Sequence, residues 1–210
     1  TKSEVYTPAW VVCYQNNACD DDWFGRKNVF GELVGHVWQP AAGHIRFASP
    51  AGQLAYIDSP RLEITCGEAP YLATRYDAAT GEEIPVKDRV GILDRKLRVA
   101  SENARTEDEL VALIMRAYKA TYGYESQGDS LLVARVNLLM SFIEHLQIYL
   151  QREPTHDELT SVAKIISWNI WQMDGLTGAI PGNPGHDCQI KDWQNGQIVS
   201  YKSIIANDSN

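Results

Sequence analysis

The chain contains 210 residues, of which 44% are hydrophobic and 22% charged, and it carries a formal net charge of −8 at pH 7. These values are ordinary for one globular domain spanning residues 1–210. The acidic balance disfavours a free-standing DNA-binding module, which usually has a basic face. The chain lacks an apolar run of about 18 residues and an N-terminal signal pattern, so we expect a cytoplasmic protein that does not associate with membranes.

The cysteines and histidines do not form a recognisable disulfide or metal pattern. Cys13, Cys19, Cys66 and Cys188 include no C-x-x-C pair, which favours reduced thiols. His186 and Cys188 have the spacing of half a zinc site, but no second pair of ligands has a matching spacing. We therefore expect no bound metal.

The first sixty residues are predicted to form a helix followed by an irregular insert. Thr7-Pro8 is a typical start for a helix within residues 1–20, because threonine caps the first turn and proline suits its first position. Scattered glycines, prolines and aromatic residues over 21–59 favour an irregular segment packed on the core. Its short strands are predicted near residues 45–47 and 54–57.

Residues 60–176 alternate between the two kinds of regular structure, as in a parallel α/β sheet. Strands are predicted over residues 62–66, 121–125 and 165–172. Helices are predicted over residues 70–75, 86–101, 106–120, 129–151 and 155–164. The segment 177–210 is a polar tail with one hairpin, formed by residues 190–199 and turning at Asn195-Gly196.

Each predicted strand ends close to an acidic residue, namely Glu63, Glu125 and Asp174. Because ligands of parallel α/β sheets bind at the carboxyl ends of the strands, these acids are candidate binding groups. Cys66-Gly67 supplies the small-residue turn that a nucleotide-like cofactor needs after the first strand. The alternatives are solvated acids at strand ends and, at Asp174-Gly175, an ordinary turn.

Four segments in series resemble a known family. They are Tyr6-Thr7-Pro8, Glu63-Ile64-Thr65-Cys66-Gly67-Glu68-Ala69, Tyr122-Gly123-Tyr124-Glu125 and Asn169-Ile170-Trp171-Gln172-Met173-Asp174-Gly175-Leu176. In order, they are similar to the Y-T-P opening, the acid-P-A-C-G-x-G loop, the Y-G-x-acid strand and the N-I-x-x-x-D-x-L strand of adenine-N6 DNA methyltransferases of restriction–modification systems. A predicted long helix containing Ala134-Arg135-x-Asn137-Leu138 also matches the family.

The resemblance implies a Rossmann-like methyltransferase fold that binds S-adenosylmethionine. It also implies DNA as a partner, reached through another subunit, and a homo- or hetero-oligomer. In this interpretation Glu125 binds the ribose hydroxyls, Asp174 the adenine amine, and Glu63 the cofactor loop or the methionine amine. The residues that the resemblance assigns to the cofactor are Tyr6, Thr7, Pro8, Glu63, Thr65, Cys66, Gly67, Glu68, Ala69, Glu125, Ser126, Asp174, Gly175 and Leu176.

The chain departs from the family at two points. Ala69 replaces the second glycine of the loop, and its methyl group would narrow the approach of the cofactor. The catalytic string, Asn or Asp followed by two prolines and an aromatic residue, does not occur in the 210 residues. The catalytic residues are therefore unknown, with Asn183 and Trp193 as weak candidates.

Three functions remain open at this stage. The first is a split or degenerate methyltransferase that needs a partner for methyl transfer. The second is a non-enzymatic regulatory or interaction protein that keeps the fold. The third is an active methyltransferase whose catalytic residues come from the tail.

Overall fold

The structure is a computed structural model that describes residues 6–208, apart from the side chains of Pro184 and of residues 205–208. The helices in this part of the chain are α1 (Ala9–Phe24), α2 (Pro50–Asp58), α3 (Ile92–Asn103), α4 (Glu107–Lys119), α5 (Gly128–Leu150), α6 (His156–Asn169) and α7 (Tyr201–Asp208). The strands are β1 (Gly31–Val34), β2 (Val37–Pro40), β3 (Arg61–Ile64), β4 (Thr121–Glu125), β5 (Ile170–Gln172), β6 (Ala179–Ile180), β7 (Asn183–Asp187), β8 (Gln189–Lys191) and β9 (Ile198–Ser200).

The centre of the fold is a parallel sheet of three strands in the order β3-β4-β5. The chain passes through α3 and α4 between the first two strands, and through α5 and α6 between the second and third. This confirms the mixed α/β class and the parallel pairing expected from the alternation of strands and helices. The sheet is small, and its carboxyl ends lie together because all its strands run in the same direction.

The two faces of this sheet are covered differently. Glu63, Gly123 and Ile170 pair side by side and share one face, where Ile170 belongs to the main hydrophobic core. Ile64 and Leu62 belong to the opposite face, and each keeps 43% of its surface exposed. Parallel sheets are usually buried on both faces. This sheet departs from that rule, because its second face is only partly covered.

The C-terminal hairpins lie against the partly covered face. The buried residues Tyr124, Met173, Cys188 and Tyr201 form a small cluster there. Ile190 pairs with Val199, which confirms the predicted hairpin, but its connecting loop is wider than an Asn-Gly turn. The amide of Asp192 donates to the Gln197 carbonyl at 2.8 Å and closes that loop.

Several local predictions are confirmed by their hydrogen bonds. The side chain of Thr106 caps α4 by accepting from the Glu109 amide, and Thr155 with Glu158 forms a capping box at α6. The long predicted helix at 129–151 corresponds to α5 within one residue at each end. The N-terminal helix also exists, but it extends to Phe24.

Three predictions of strands are wrong. The strand expected at 54–57 lies inside α2, which begins after the Ser49 cap and buries Tyr56 and Ile57. The strand expected near 45–47 is absent from the described insert, which instead pairs β1 with β2. Residues 165–169 continue α6, because Val162, Ile165 and Ile166 share its buried side.

The helix expected at 70–75 is also absent, and turns occupy that stretch. The amide of Thr74 donates to the buried Asp94 carboxylate at 2.8 Å. The amides of Ile92 and Leu93 donate to the Tyr71 and Leu72 carbonyls. The backbone groups of this segment therefore form hydrogen bonds with the start of α3 and do not form a helix of their own.

α5 is the one helix in the described part of the chain that is long and apolar enough to meet a membrane-span criterion. That criterion is weak evidence, because core helices of globular proteins also meet it. Phe142 and Leu146 of α5 are fully buried in the main core. The guanidinium of Arg135 donates twice to the Ile170 carbonyl, so α5 is fastened to the sheet.

Buried charges join the outer helices to the sheet. Arg95 of α3 donates to Asp20 of α1 at 2.6 Å, and the Tyr56 hydroxyl donates to the same carboxylate at 3.0 Å. Lys96, whose side chain is fully buried, donates to the Ser59 and Ala120 carbonyls at 2.6 and 3.1 Å. These carbonyls precede β3 and β4, so Lys96 positions the amino ends of both strands.

We expect Lys96→Met to remove a pH dependence of stability. Burial lowers the pKa of Lys96 from 10.5 to about 7, so between these values the unfolded state binds more protons than the folded state. The wild-type free energy of unfolding should therefore rise with pH across this window, by at most about 1.4 kcal/mol per pH unit relative to the variant. Urea unfolding of both proteins at several values between about pH 7 and about pH 9 measures this difference. A difference that stays constant over that interval would contradict it.

Candidate functional site

The carboxyl ends of the three parallel strands meet in one place. The amide of Gly67, in the loop of residues 65–69 that follows β3, donates to the Glu125 carboxylate at 2.8 Å. A Cβ atom added to Gly175, just after β5, would lie 3.1 Å from Ile64 and 3.4 Å from Thr65. The segments containing Glu63, Glu125 and Asp174 are therefore adjacent, as the parallel sheet predicted.

The 65–69 loop has an unusual backbone. Thr65, Gly67 and Ala69 have φ values of 58°, 55° and 64°, and this left-handed region is unfavourable for residues other than glycine. Such conformations cost of order 1 kcal/mol or more each and persist where the surroundings impose them. The Cys66 amide donates to the Tyr124 carbonyl at 2.8 Å, which ties the strained loop to β4.

The middle and the end of this loop face different surroundings. A Cβ atom at Gly67 would meet no atom within 4 Å, so the backbone there borders open space. The side chain of Ala69 is fully buried in the main core. The methyl group that replaces the family's second glycine therefore packs inside the protein and does not project from the open side of the loop.

Glu125 holds the loop to the start of α5. Its Oε1 accepts from the Gln127 amide at 2.9 Å and from the Ser126 hydroxyl at 3.3 Å, while its Oε2 accepts from Gly67. Only 5% of its surface is exposed. The carboxylate is thus bonded to protein groups, and binding of ribose hydroxyls would require the 65–69 loop to shift.

Glu63 carries an unsatisfied oxygen. Its Oε2 is inaccessible and has no hydrogen-bond partner among the described residues. Burial raises the pKa of Glu63 well above its usual value and the nearby Glu125 adds to this, although the Tyr71 amide lowers it. Buried polar atoms almost always have partners, so this oxygen is a candidate contact for a cationic group.

The same environment keeps Cys66 protonated. Burial raises the pKa of the Cys66 thiol strongly, and the neighbouring carboxylates of Glu63 and Glu125 raise it further. A nucleophilic cysteine needs a lowered pKa. Cys66 is therefore a buried packing residue of the 65–69 loop, and covalent catalysis by its thiolate is disfavoured.

Glu68 belongs to a polar network that sequence reasoning missed. The Tyr76 hydroxyl donates to the Glu68 carboxylate at 2.6 Å, and the Asn137 amide donates to the Glu68 carbonyl at 3.0 Å and to Tyr76 at 3.1 Å. Arg75 donates to the Asn137 side chain. Asn137 was visible as part of the family-like helix motif, whereas no local pattern marked Tyr76.

The segment before α1 lies beside this loop. The nearby Thr7 side chain lowers the pKa of the Tyr71 phenol, although burial raises it overall, and the Tyr71 backbone lies close enough to lower the pKa of Glu63. The Ala9 amide at the start of α1 donates to Asp77 at 2.8 Å. Pro8 is the N-cap of α1 without a side-chain cap bond, and the preceding Tyr6 is half exposed.

Asp174 adopts the turn geometry that the sequence left as an alternative. Its Oδ1 accepts from the Leu176 and Thr177 amides at 2.9 and 3.1 Å, which is the pattern of an aspartate-stabilised turn. The Leu176 side chain projects from this turn and is 99% exposed.

The two weak catalytic candidates lie in the C-terminal hairpins. Asn183 of β7 pairs its side chain with His186 at 2.8 Å. The Trp193 indole donates to the Asn169 side chain at 2.7 Å, and it lines a cavity with Asp58 and Pro60, which precede β3. Trp193 is therefore near the amino end of the sheet rather than its carboxyl end.

The remaining predicted groups and the comparisons add little further chemistry. The four cysteines are free thiols, and the described residues contain no cluster of three or more metal-binding side chains. No family model, curated protein or solved structure matches the chain. The geometry of the strand ends is therefore the basis of the functional assignment.

We expect Glu63→Gln to stabilise the protein above about pH 4.5. Because the folded pKa of Glu63 is raised, its folding contribution is complete at low pH and is lost as the pH rises through that pKa. The neutral amide avoids this loss, so the variant should gain up to about 1.4 kcal/mol per pH unit over the wild type. Glu82→Gln, at an exposed position with the same charge change, is the control. Urea unfolding from about pH 4 to about pH 7 measures the gain, and equal behaviour of the two variants would contradict it.

Proposed function

We propose that this chain is an S-adenosylmethionine-binding domain of the Rossmann-like methyltransferase type, similar to adenine-N6 DNA methyltransferases. It is split or degenerate and needs a partner for methyl transfer. The observation that carries the proposal is the partnerless buried oxygen of Glu63 beneath an open, strained glycine loop. A strand, such a loop and a following strand with an acidic end are the usual elements of a nucleotide-type site.

The charge of the site fits the cofactor. S-adenosylmethionine carries a sulfonium and an ammonium group, and both are attracted to buried carboxylates in a medium of low dielectric constant. Glu63 and Glu125 interact electrostatically, and the described residues include no arginine or lysine in hydrogen-bonding contact with either. A bound cation would supply the missing partner of Glu63 and favour its ionised form.

The sheet topology is also compatible with this proposal. Dinucleotide-binding folds are built from βαβαβ halves in which three consecutive parallel strands are neighbours. The order β3-β4-β5 has this arrangement, and the next elements in this chain are antiparallel hairpins. This strand order supports the proposal that the chain contains one such half, followed by a different second part.

Methyl transfer to DNA requires more than cofactor binding. A target adenine must be flipped out of the duplex, stacked on an aromatic ring and hydrogen-bonded through its amine. The family's string for this task is missing from the 210 residues, and the net charge of −8 is unfavourable for gripping DNA. We therefore assign these steps to a partner subunit.

Calorimetric titration with S-adenosylmethionine tests the proposal. We expect the wild type to bind with micromolar affinity and Glu63→Gln to bind about tenfold more weakly, since one favourable charge contact of about 1.4 kcal/mol is removed. Glu82→Gln should match the wild type. Glu125→Ala is informative only together with a measured unfolding curve, because Glu125 also holds the 65–69 loop. Failure of the folded wild type to bind would reject the cofactor site.

A second candidate function is that of a non-enzymatic interaction protein that retains the three-stranded parallel sheet and its helices. The exposed apolar side chains of Leu62, Ile64 and Leu176 favour it. In that case the wild type would associate with a partner or with itself, and Leu176→Ser would weaken the association without changing stability. Sedimentation velocity of both proteins over a range of concentrations measures this, and an unchanged monomer would count against self-association.

A further inference from the structure

The cavity lined by Trp193 runs along the partly covered face of the sheet, from the residues before β3 and β4 to Tyr124. It has a volume of about 690 Å³, within the range of small-molecule sites. Pro60 and Ala120, the residues immediately before β3 and β4, line it together with Leu62. The C-terminal hairpin β8–β9 and α7 form its other wall, so it lies between the tail and the partly covered sheet face.

Aromatic side chains dominate the wall of this cavity. Tyr122, Tyr124, Trp193 and Tyr201 all line it. The Tyr122 hydroxyl donates to the Lys191 carbonyl at 3.1 Å, and the Trp193 indole donates to Asn169. The rings of Tyr124 and Tyr201 meet edge to face at 5.7 Å. The aromatic wall is therefore held in place before any ligand enters.

One polar atom of this wall is left without a partner. Tyr124 is 1% exposed, and its hydroxyl has no hydrogen-bond partner among the described residues. The other fully buried tyrosines, Tyr56 and Tyr118, donate to Asp20 and to the Leu138 carbonyl. Leaving a buried hydroxyl unsatisfied is unfavourable. Because Tyr124 lines the cavity, a ligand that reaches this hydroxyl would supply the missing bond.

The charges at the rim of the cavity balance. Arg116 forms an ion pair with Asp58, and Lys119 and Asp192 contribute opposite charges to the same lining. Burial raises the pKa of Tyr124, which keeps its hydroxyl protonated and able to donate. The lining therefore favours a ligand without net charge.

We propose that this cavity binds a neutral, planar aromatic molecule that carries a hydroxyl group. The ring packs among the tyrosines and Trp193, and its hydroxyl hydrogen-bonds the Tyr124 hydroxyl. The site is separate from the Glu63 side of the candidate cofactor site, because Tyr122 and Tyr124 lie on the opposite face of the sheet from Glu63 and Gly123. It does not depend on S-adenosylmethionine binding.

A pair of ligands of equal shape tests the proposal. p-Cresol and p-xylene differ by a hydroxyl in place of a methyl group, and each can be titrated into protein labelled with ¹⁵N while the Trp193 indole signal is followed. We expect p-cresol to bind the wild type more tightly, and Tyr124→Phe to weaken p-cresol about threefold to tenfold, which is the range of one neutral hydrogen bond. Affinity for p-xylene should not fall.

The stabilities of two variants show whether a loss of p-cresol binding comes from the lost hydroxyl or from unfolding. Tyr124→Phe should be at least as stable as the wild type, because the deleted hydroxyl has no partner in the free protein. Tyr122→Phe should unfold at a lower urea concentration than the wild type, because it loses the bond to the Lys191 carbonyl. Trp193→Phe assigns the indole signal.

The proposal is overturned if neither ligand shifts the Trp193 signal, or if Tyr124→Phe weakens both ligands equally. A wild type that sediments as a dimer with the Trp193 signal insensitive to ligand would mean that a second copy covers the cavity. That result would also overturn it. None of these outcomes depends on whether the strand ends bind S-adenosylmethionine.

Discussion

The carboxylate of Glu125 is the contact on which the candidate site depends. It accepts hydrogen bonds from Gly67 in the loop after β3 and from Gln127 at the start of α5, and it is almost completely buried. Two connections that are 58 residues apart in sequence are thereby joined at the end of the central strand. Backbone amides are good partners for a buried carboxylate, and this bond allows a loop with left-handed residues to persist.

The protein retains uncompensated polar groups on both faces of its sheet. On one face Glu63 has a buried oxygen without a partner among the described residues, and on the other the Tyr124 hydroxyl is in the same position. Such groups reduce stability, and proteins commonly accept that loss where function requires it. Lys96 differs, because its ammonium group is buried but bonded to two carbonyls, and it serves to position the strands.

The two sites divide the chemistry of the molecule. The acidic carboxyl edge suits a cationic ligand, whereas the aromatic cavity on the partly covered sheet face suits a neutral ring. Leu62 and Ile64 of that face keep much of their surface exposed. The C-terminal hairpin β8–β9 forms the outer wall of the aromatic cavity, so the tail would contribute to the proposed site although it lies outside the parallel sheet.

Local sequence patterns determined much of the framework. Alternating apolar residues marked β3, and β-prone residues marked β4. The capping residues Thr106 and Thr155 marked the starts of α4 and α6 correctly, because such caps act within a single turn. The acids at the strand ends could also be identified, since parallel strands bring their carboxyl ends together.

What the tertiary structure alone decided was how those groups are used. Residues 165–169 are rich in β-branched residues, yet burial of one side of α6 made them helical. The carboxylate of Glu125 accepts hydrogen bonds from the 65–69 loop and does not face open space. Asn137 of α5 donates to the Glu68 carbonyl, 69 residues away in sequence. The aromatic cavity combines residues from β3, β4 and the C-terminal tail. Contacts between distant segments depend on packing of the whole chain, and no local pattern encodes them.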